Sequence, residues 1–122
     1  MRVFKTRQFA KWAAKEGIAD NALIVAVTEM EHGLVDADLG GHVFKKRVGL
    51  QGRGKSGGVR TLLAYRLGDR AFFVFGFAKN ERDNIDDKEL KALKRLASVY
   101  LGYDGAQLEQ AKIEGLLIEV KP

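Results

Sequence analysis

The chain has 122 residues, a formal net charge of +5 and no cysteine. This length fits one domain, residues 1–122, which is large enough to bury a core without cross-links. The lack of cysteine excludes disulfides and thiolate metal sites, and the presence of only two histidines argues against a histidine-based metal centre. No apolar run approaches the ~20 residues of a membrane span, so we expect a cytoplasmic protein that contacts no membrane.

The N-terminal part of the chain predicts a strand followed by two helices. Residues 2–5 have the pattern of a short strand, and Thr6 can cap a helix that ends at Gly17. Asp20 or Asn21 can then cap a second helix. Both helices carry an apolar stripe, which predicts a helical hairpin packed on a sheet.

The middle of the chain predicts three strands joined by short connections. Residues 43–48, 59–67 and 71–78 have the composition of strands, and the last run is apolar on both faces, as in a central strand. A glycine-rich loop at 49–58 joins the first two strands, and a tight turn at Gly68 joins the last two. Short connections of this kind favour an antiparallel meander.

The C-terminal extension, residues 86–122, predicts helices. Asp86 and Glu89 resemble a capping box for one helix, and Asp104 can begin a short second one. The apolar segment 116–120 fits either an edge strand or a segment that packs on the core. Together the elements predict an α+β fold, in which an N-terminal strand and a helical hairpin pack on a small, mainly antiparallel β-sheet meander with C-terminal helices.

Positive charge is concentrated in one stretch, residues 42–82, which we call the basic core. It holds ten basic residues and two acidic ones, whereas the segments before and after it are each slightly acidic. A concentrated basic patch on a small domain is typical of proteins that bind polyphosphates. The ten basic residues are Lys45, Lys46, Arg47, Arg53, Lys55, Arg60, Arg66, Arg70, Lys79 and Arg82.

A glycine-rich segment within the basic core matches the phosphate-loop pattern G-x-x-x-x-G-K-[ST] at residues 49–56. In nucleotide-binding proteins this loop opens a helix, whose N-terminus faces the phosphates. Here a strand-like segment follows the loop, which argues against nucleotide hydrolysis. We expect a basic hairpin loop in which Arg53 and Lys55 contact phosphates and the glycines allow a close backbone approach.

Alternation along the first meander strand sorts its basic side chains by face. Lys45 and Arg47 share one face, and Lys46 lies on the other. Arg60 begins the neighbouring strand, and further basic residues at 79–82 follow the third strand. We expect these cations to converge on one end of the sheet and to form a shared anion site. The alternative is a solvated edge, on which basic residues only discourage pairing with other strands.

The segments KKRV, GRGKSGGVR and FVFGFAKNERDNI, with the helix that follows them, carry a resemblance to a known family. They resemble the core of RelE/HigB-type toxins from bacterial type II toxin–antitoxin modules, within the RelE/ParE superfamily. The order of elements is also similar to that of this family, so the resemblance covers most of residues 2–100. Residues 101–122 extend past the usual core, and the resemblance implies no role for them.

The resemblance implies a small endoribonuclease, an mRNA interferase that cuts mRNA in the ribosomal A site and inhibits translation. It implies metal-independent and cofactor-free catalysis, in which the ribose 2′-hydroxyl attacks the adjacent phosphate and leaves a cyclic phosphate. The implied partners are mRNA, the ribosome and a cognate antitoxin that covers the basic cleft. The protein is then expected as a monomer or as a toxin–antitoxin hetero-oligomer.

The resemblance also implies roles for individual residues. Arg60 suits the stabilisation of charge on the phosphoryl oxygens through its guanidinium fork, and Lys45 is the candidate general base. Some members carry a tyrosine or histidine after the last strand, where this chain has Asn-Ile-Asp at 84–86, so the acid for the leaving oxygen stays unassigned. The implied catalytic residues are Lys45, Arg47, Arg60, Lys79 and Arg82. The implied RNA contacts are Lys46, Arg53, Lys55, Ser56, Arg66 and Asn80.

Two rival functions stay open from the sequence. Toxins with the same scaffold bind and inhibit DNA gyrase without cutting RNA, and a non-catalytic RNA-binding protein would keep the basic patch and its salt-sensitive affinity. The grouping of Lys45, Arg47 and Arg60 favours the nuclease, because a pure protein binder has no need of a phosphate clamp.

Overall fold

A computed structural model describes residues 1–50, 54–78, 81–82 and 84–121, with only the backbone described at 54–57. The predicted α+β class is confirmed, and the predicted elements follow one another in the expected order. The helices and strands are β1 (Arg2–Thr6), α1 (Arg7–Glu16), α2 (Asp20–Glu31), β2 (Ala37–Asp38), β3 (Val43–Leu50), β4 (Gly54–Arg66), β5 (Arg70–Ala78), α3 (Asp87–Leu101), α4 (Gly105–Ile113) and β6 (Leu117–Glu119).

The strands form one mixed sheet in the order β2-β3-β4-β5-β1-β6. Strands β3, β4 and β5 are the predicted antiparallel meander, and Gly68 has the positive φ of 75° that its turn requires. β1 lies beside β5 in parallel, with Phe4 opposite Phe72. β6 pairs with β1 in antiparallel fashion at the edge. The N-terminal strand therefore lies inside the sheet, where it is paired on both sides.

Local capping signals account for the starts of the helices, with one exception. Thr6 Oγ1 accepts a hydrogen bond from the backbone N–H of Phe9 at 3.2 Å, as expected of the N-cap of α1. The expected capping of α2 by Asp20 or its neighbour is wrong, because Ala19 is the N-cap and no side chain bonds to the helix start. The Asp20 carboxylate instead accepts a hydrogen bond from Lys5 Nζ at 2.7 Å, which ties α2 to β1.

Capping boxes begin both C-terminal helices. The Asp86 carboxylate accepts a hydrogen bond from the N–H of Glu89 at 2.8 Å, and the Glu89 carboxylate accepts one from the N–H of Asp86 at 3.0 Å, as predicted. Asp104 and Gln107 repeat this arrangement at α4. The tail after α4 forms the edge strand β6, so the C-terminal extension contributes to the sheet as well as to the helices.

Each face of the sheet is covered by its own helices. Helices α1 and α2 cover the face that carries Val48, Val59 and Phe73, which we call the hairpin face. Helices α3 and α4 cover part of the opposite face, which carries Leu62 and Phe72 and which we call the α3 face. Strand β5 lies between these layers and is buried on both sides over most of its length, as its apolar sequence predicts.

Two glycines allow close approaches that a side chain would block. A Cβ at Gly76 would lie 2.2 Å from the ring of Trp12, so this glycine makes room for the indole on the hairpin face. A Cβ at Gly58 would lie 2.1 Å from the carbonyl oxygen of Val48 on the paired strand. The predicted loop bounds 49–58 are wrong, because β3 continues to Leu50 and β4 already begins at Gly54. From Gly54 onward the segment is a strand and not a helix, so it lacks the helix N-terminus that a nucleotide-binding loop needs.

Candidate functional site

The two sides of strand β3 carry basic residues with different surroundings. Lys45 and Arg47 lie on the α3 face, the side of Val43, which packs in the core cluster beneath α3. Lys46 lies on the hairpin face, the side of Val48, which packs in the cluster beneath α1 and α2. The alternation of side chains along the strand, as expected from the sequence, therefore separates two adjacent lysines onto opposite faces.

The register of the sheet brings Arg60 next to Arg47. These two arginines are directly opposite each other on β3 and β4, and Arg60 is in turn opposite Phe77 on β5. Residues at opposed positions have Cβ atoms about 5 Å apart on the same face of the sheet, where like charges repel. The three side chains Lys45, Arg47 and Arg60 thus share one end of the α3 face.

Arg82 reaches the same area from the segment that precedes α3. Its guanidinium carbon lies 5.8 Å and 5.6 Å from the ring centroids of Phe75 and Phe77. Its Nη1 and Nη2 donate hydrogen bonds to the two carboxylate oxygens of Glu89 at 3.1 Å and 2.5 Å. Its Nε donates to the carbonyl oxygen of Asn84 at 2.9 Å. These contacts hold the guanidinium over the ring of Phe77, which is the neighbour of Arg60.

Four cations therefore occupy one area of the α3 face, and we call them the cationic cluster. Their members are Lys45, Arg47, Arg60 and Arg82. Strands β3, β4 and β5 each contribute to the floor of the cluster, and the first turn of α3 borders it through the contact of Glu89 with Arg82. Positive groups placed side by side in this way offer several donors to a single anion.

Arg60 has an unmet hydrogen-bonding requirement. Its side chain is partly buried, and its Nη1 is fully buried without a hydrogen-bond partner among the described residues. No ion pair of Arg60 or of Lys45 with a described residue is present either. A buried guanidinium nitrogen without an acceptor is costly, and such groups call for a functional explanation. Because this nitrogen is fully buried, an anion can reach it only if the side chains that cover it move.

Arg47 is held by a carboxylate that leaves part of its guanidinium open. Asp36 Oδ2 accepts a hydrogen bond from the backbone N–H of Arg47 at 2.5 Å, and Asp36 Oδ1 accepts one from Arg47 Nε at 3.1 Å. The terminal nitrogens Nη1 and Nη2 of Arg47 make no hydrogen bond to any described residue. Asp36 therefore orients this arginine and leaves its outer edge available for a ligand.

The pair formed by Arg82 and Glu89 is more tightly matched. The hydrogen bond from Arg82 is the main cause that lowers the pKa of the Glu89 carboxyl below its usual value. The same bond is the main cause that raises the pKa of Arg82. Both groups are therefore charged at neutral pH, and Arg82 is the member of the cluster whose charge is most fully compensated by a neighbour.

Lys46, which we expected among the RNA contacts, is a core residue. It is only 3% exposed. Its Nζ lies 3.0 Å from Glu29 Oε1 on α2 and donates a hydrogen bond to the carbonyl oxygen of Leu34 at 2.9 Å. A buried lysine on the hairpin face has no access to a ligand at the cluster, so we leave Lys46 out of the site proposed below.

Arg66 lies at the other end of strand β4 from the cluster. It is opposite Arg70 beside the turn at Gly68, and its Nη1 pairs with Asp69 Oδ2 at 3.1 Å. Six residues separate it from Arg60, which corresponds to about 20 Å along a strand. The structure therefore does not bring Arg66 together with the cluster.

Several predicted site residues lie outside the described part of the chain. Arg53, Lys79 and Asn80 are not described, nor are the side chains of Lys55 and Ser56. Their implied roles stay predictions.

Sequence reasoning missed two carboxylates that contact the cluster. It treated Glu89 as a helix cap only, which it also is, and it assigned Asp36 no role at the site. Arg82 precedes α3, so its spacing of seven positions to Glu89 is not a spacing within one helix, and Asp36 and Arg47 lie on either side of the turn between β2 and β3. Only the packing of β2 on β3 and of α3 on β5 brings these charges together.

Two wider features bear on the type of site. Among the described residues, no three His, Asp or Glu side chains are grouped in a way that could hold a metal ion. No helix within the described ranges is long and apolar enough to cross a membrane.

Comparison with known families gives one match. The model of the family described as the RelE toxin of the RelE/RelB toxin–antitoxin system matches residues 1–120. The match includes the whole cationic cluster and almost all of the C-terminal extension. No curated protein matches the sequence.

Proposed function

The chain belongs to the RelE toxin family, the toxins of RelE/RelB toxin–antitoxin systems, and we propose that it acts as a metal-independent endoribonuclease on mRNA. The observation that carries this proposal is the grouping of four cations on one face of the sheet, where Arg47 lies directly opposite Arg60 and keeps its terminal nitrogens open. A fold tolerates such repulsion between like charges where an anionic ligand compensates it. The phosphodiester backbone of RNA is an anion of the right chemistry.

The proposed reaction is transesterification within one strand of RNA. The ribose 2′-oxygen forms a bond to the adjacent phosphorus, the bond from phosphorus to the 5′-oxygen breaks, and a 2′,3′-cyclic phosphate results. Negative charge builds on the non-bridging oxygens in the transition state. In this proposal Arg60 and the open edge of Arg47 donate to those oxygens, because donors aimed at developing charge lower the barrier.

Proton transfer needs two further groups. Lys45, which has no ion pair with a described residue, is the proposed base: its neutral amine accepts the proton of the 2′-hydroxyl and becomes the ammonium. The leaving 5′-oxygen must receive a proton as well. Residues Asn84 and Ile85 supply no acid there, so we assign Arg82 an electrostatic role and expect the proton to come from water. Positioning of the mRNA by the ribosome would then contribute a large share of the rate.

The proposed partners follow from membership of the RelE family. We propose that the toxin acts in the cytoplasm on mRNA held in the ribosome, and that its cognate antitoxin covers the cationic cluster. An acidic segment of the antitoxin would complement the cluster and would compete with RNA for it.

The test maps the 5′ ends of a translated mRNA by primer extension after brief expression of the toxin, beside a copy of that mRNA whose translation is blocked. We expect new ends within the reading frame of the translated copy only. The variant Arg60→Ala should reduce cutting by about 10²–10³-fold, because it removes a donor to the transition state. Arg66→Ala is the matched control, since it removes an arginine from the far end of the same strand and should cut like wild type.

Three outcomes would contradict this proposal in part or in full. New ends on both copies would remove the ribosome from the mechanism. Growth arrest without new ends would favour the gyrase-directed activity. Full activity of Arg60→Ala would show that the cationic cluster is not the catalytic site.

A further inference from the structure

The arginines of the cationic cluster differ in which edge of the guanidinium is occupied. Arg47 donates to Asp36 through Nε, so its two terminal nitrogens remain open to a ligand. Arg82 donates to Glu89 through both terminal nitrogens and to a backbone carbonyl through Nε. The bidentate edge of Arg82, which is the edge best suited to a phosphate, is therefore filled by a carboxylate of the protein itself.

The carboxylate that fills this edge is anchored independently of Arg82. Glu89 is the N3 residue of α3, and its Oε1 also accepts the backbone N–H of Asp86 in the capping box. The backbone N–H of Glu89 is bound in turn by the Asp86 carboxylate at 2.8 Å. Release of Arg82 would leave these cap bonds intact, so the arginine can exchange its partner without disturbing the helix.

From these contacts we propose that Glu89 is a positioning residue that occupies the phosphate-binding edge of Arg82 in the free toxin and yields it to an RNA phosphate. The inference rests on the proposed function, because it assumes that RNA binds at the cluster. A carboxylate and a phosphate present two oxygens to a guanidinium in the same bidentate way, so they compete for one edge. Loosely bound RNA then engages Lys45, Arg47 and Arg60, while Arg82 stays with Glu89.

The consequence is discrimination between loosely held and well-positioned RNA. When a phosphate takes the place of Glu89 on Arg82, one charge-assisted pair replaces another. The exchange therefore requires a phosphate that is already held beside the guanidinium of Arg82. RNA that is positioned by other contacts can meet this requirement. Arg82 would then contribute to the transition state and add little to the binding of free RNA.

The test is the salt dependence of binding to a single-stranded 12-nucleotide RNA with 2′-O-methyl groups throughout, which resists cleavage. Glu89→Gln removes the carboxylate and keeps an amide oxygen for the capping box, as Gln107 does at the same position of α4. We expect about 5-fold tighter binding at low salt. We also expect a slope of log K against log salt that is steeper by about 0.7, the value for one more phosphate contact on a single strand.

Two comparisons separate this effect from a general change in charge. Glu109→Gln removes an exposed carboxylate that pairs with Arg2 on β1, so it changes the net charge equally, and its slope should match that of wild type. In an Arg82→Ala background, Glu89→Gln should change neither the affinity nor the slope, because the released edge no longer exists.

The outcomes distinguish the inference from the function on which it rests. If Glu89→Gln binds with the affinity and slope of wild type while Arg60→Ala binds more weakly, Glu89 does not compete with phosphate and the inference is overturned. The inference is also overturned if Glu89→Gln changes the affinity and the slope as much in the Arg82→Ala background as in the wild-type protein. If all variants and wild type show the same slope, RNA does not bind at the cluster, and the proposed function fails with it.

Discussion

Lys45 and Lys46 are neighbours in the chain, yet they lie in opposite environments. Lys46 is buried beneath the helical hairpin, where Glu29 and a backbone carbonyl bind its ammonium. Lys45 lies on the α3 face, partly exposed and without an ion pair to a described residue. On the hairpin face the lysine is thus covered by helices and its charge is paired. At the cluster end of the α3 face the lysine charge is unpaired among the described residues and remains available to a ligand. Basic composition alone does not tell a site from a core.

The largest effect that the comparison predicts is on stability. Lys46→Ala removes a buried side chain, its ion pair with Glu29 and its hydrogen bond to the carbonyl oxygen of Leu34, which typically costs about 1–3 kcal/mol. Urea denaturation should show this as a lower midpoint with an unchanged slope. Lys45→Ala is the matched control and should change the free energy of unfolding by no more than about 0.5 kcal/mol. Equal losses for both variants would contradict the division between the two faces.

The second effect is on the rate of mRNA cleavage. Here the Lys45 variant should show the large loss and the Lys46 variant a small one. Lys45→Ala removes the proposed base and should lower ribosome-dependent cutting by about 10²-fold or more. Lys46→Ala should retain activity per folded molecule, because its ammonium does not reach the cluster. Cutting rates in a purified translation system, normalised to the folded fraction by circular dichroism, measure the difference. Wild-type cutting by Lys45→Ala would remove it from the mechanism.

The smallest predicted effect is on the free energy of unfolding. It concerns a third group of charges, Glu119, Arg2 and Lys112, which pair with one another at the edge of the sheet. The Glu119 carboxylate on β6 accepts hydrogen bonds from Arg2 Nε and Nη2, each at 2.9 Å, and from Lys112 Nζ at 2.9 Å. The bond from Arg2 is the main cause that lowers the pKa of Glu119 from 4.5 to about 2. A carboxyl whose folded pKa is depressed stabilises the fold above its unfolded pKa, and that contribution is lost as the pH falls.

Glu119→Gln should therefore cost about 1 kcal/mol at pH 7, allowing for solvent screening at the edge. The difference from wild type should shrink below pH 4.5 and vanish near pH 2, the window set by the two pKa values. Urea denaturation of both proteins from pH 7 to pH 2.5 measures it. A difference that stays constant over this range would mean that the pairing of Glu119 with Arg2 and Lys112 does not stabilise the fold.

Local signals in the sequence were sufficient for much of the fold. The Thr6 cap, the Asp86–Glu89 capping box and the turn at Gly68 all depend on residues within a few positions of one another, and each is present. The expected cap at the start of α2 failed for a long-range reason. Asp20 bonds with Lys5 of β1 instead, and a partner fifteen positions away leaves no local signal.

The cationic cluster was predictable only in part. Strand alternation placed Lys45 and Arg47 on one face, and the antiparallel meander placed Arg60 beside them. The burial of Lys46 could not be predicted from strand alternation. It depends on how α2 packs over β3, which brings Glu29 to the lysine from seventeen positions earlier in the chain. Alternation indicates the face of a side chain and not what covers that face.

The sequence by itself determined the order of the elements from β1 to α4 apart from the short strand β2, most helix starts, the two faces of β3 and the concentration of charge in the basic core. These features depend on backbone preferences and short spacings, which act within a few residues. Only the tertiary structure decided that β1 pairs in parallel with β5, that Lys46 is a core residue, and that Asp36 and Glu89 each hold an arginine of the cluster. Those contacts join distant segments, and their partners are chosen by packing and by electrostatic complementarity once the sheet has formed.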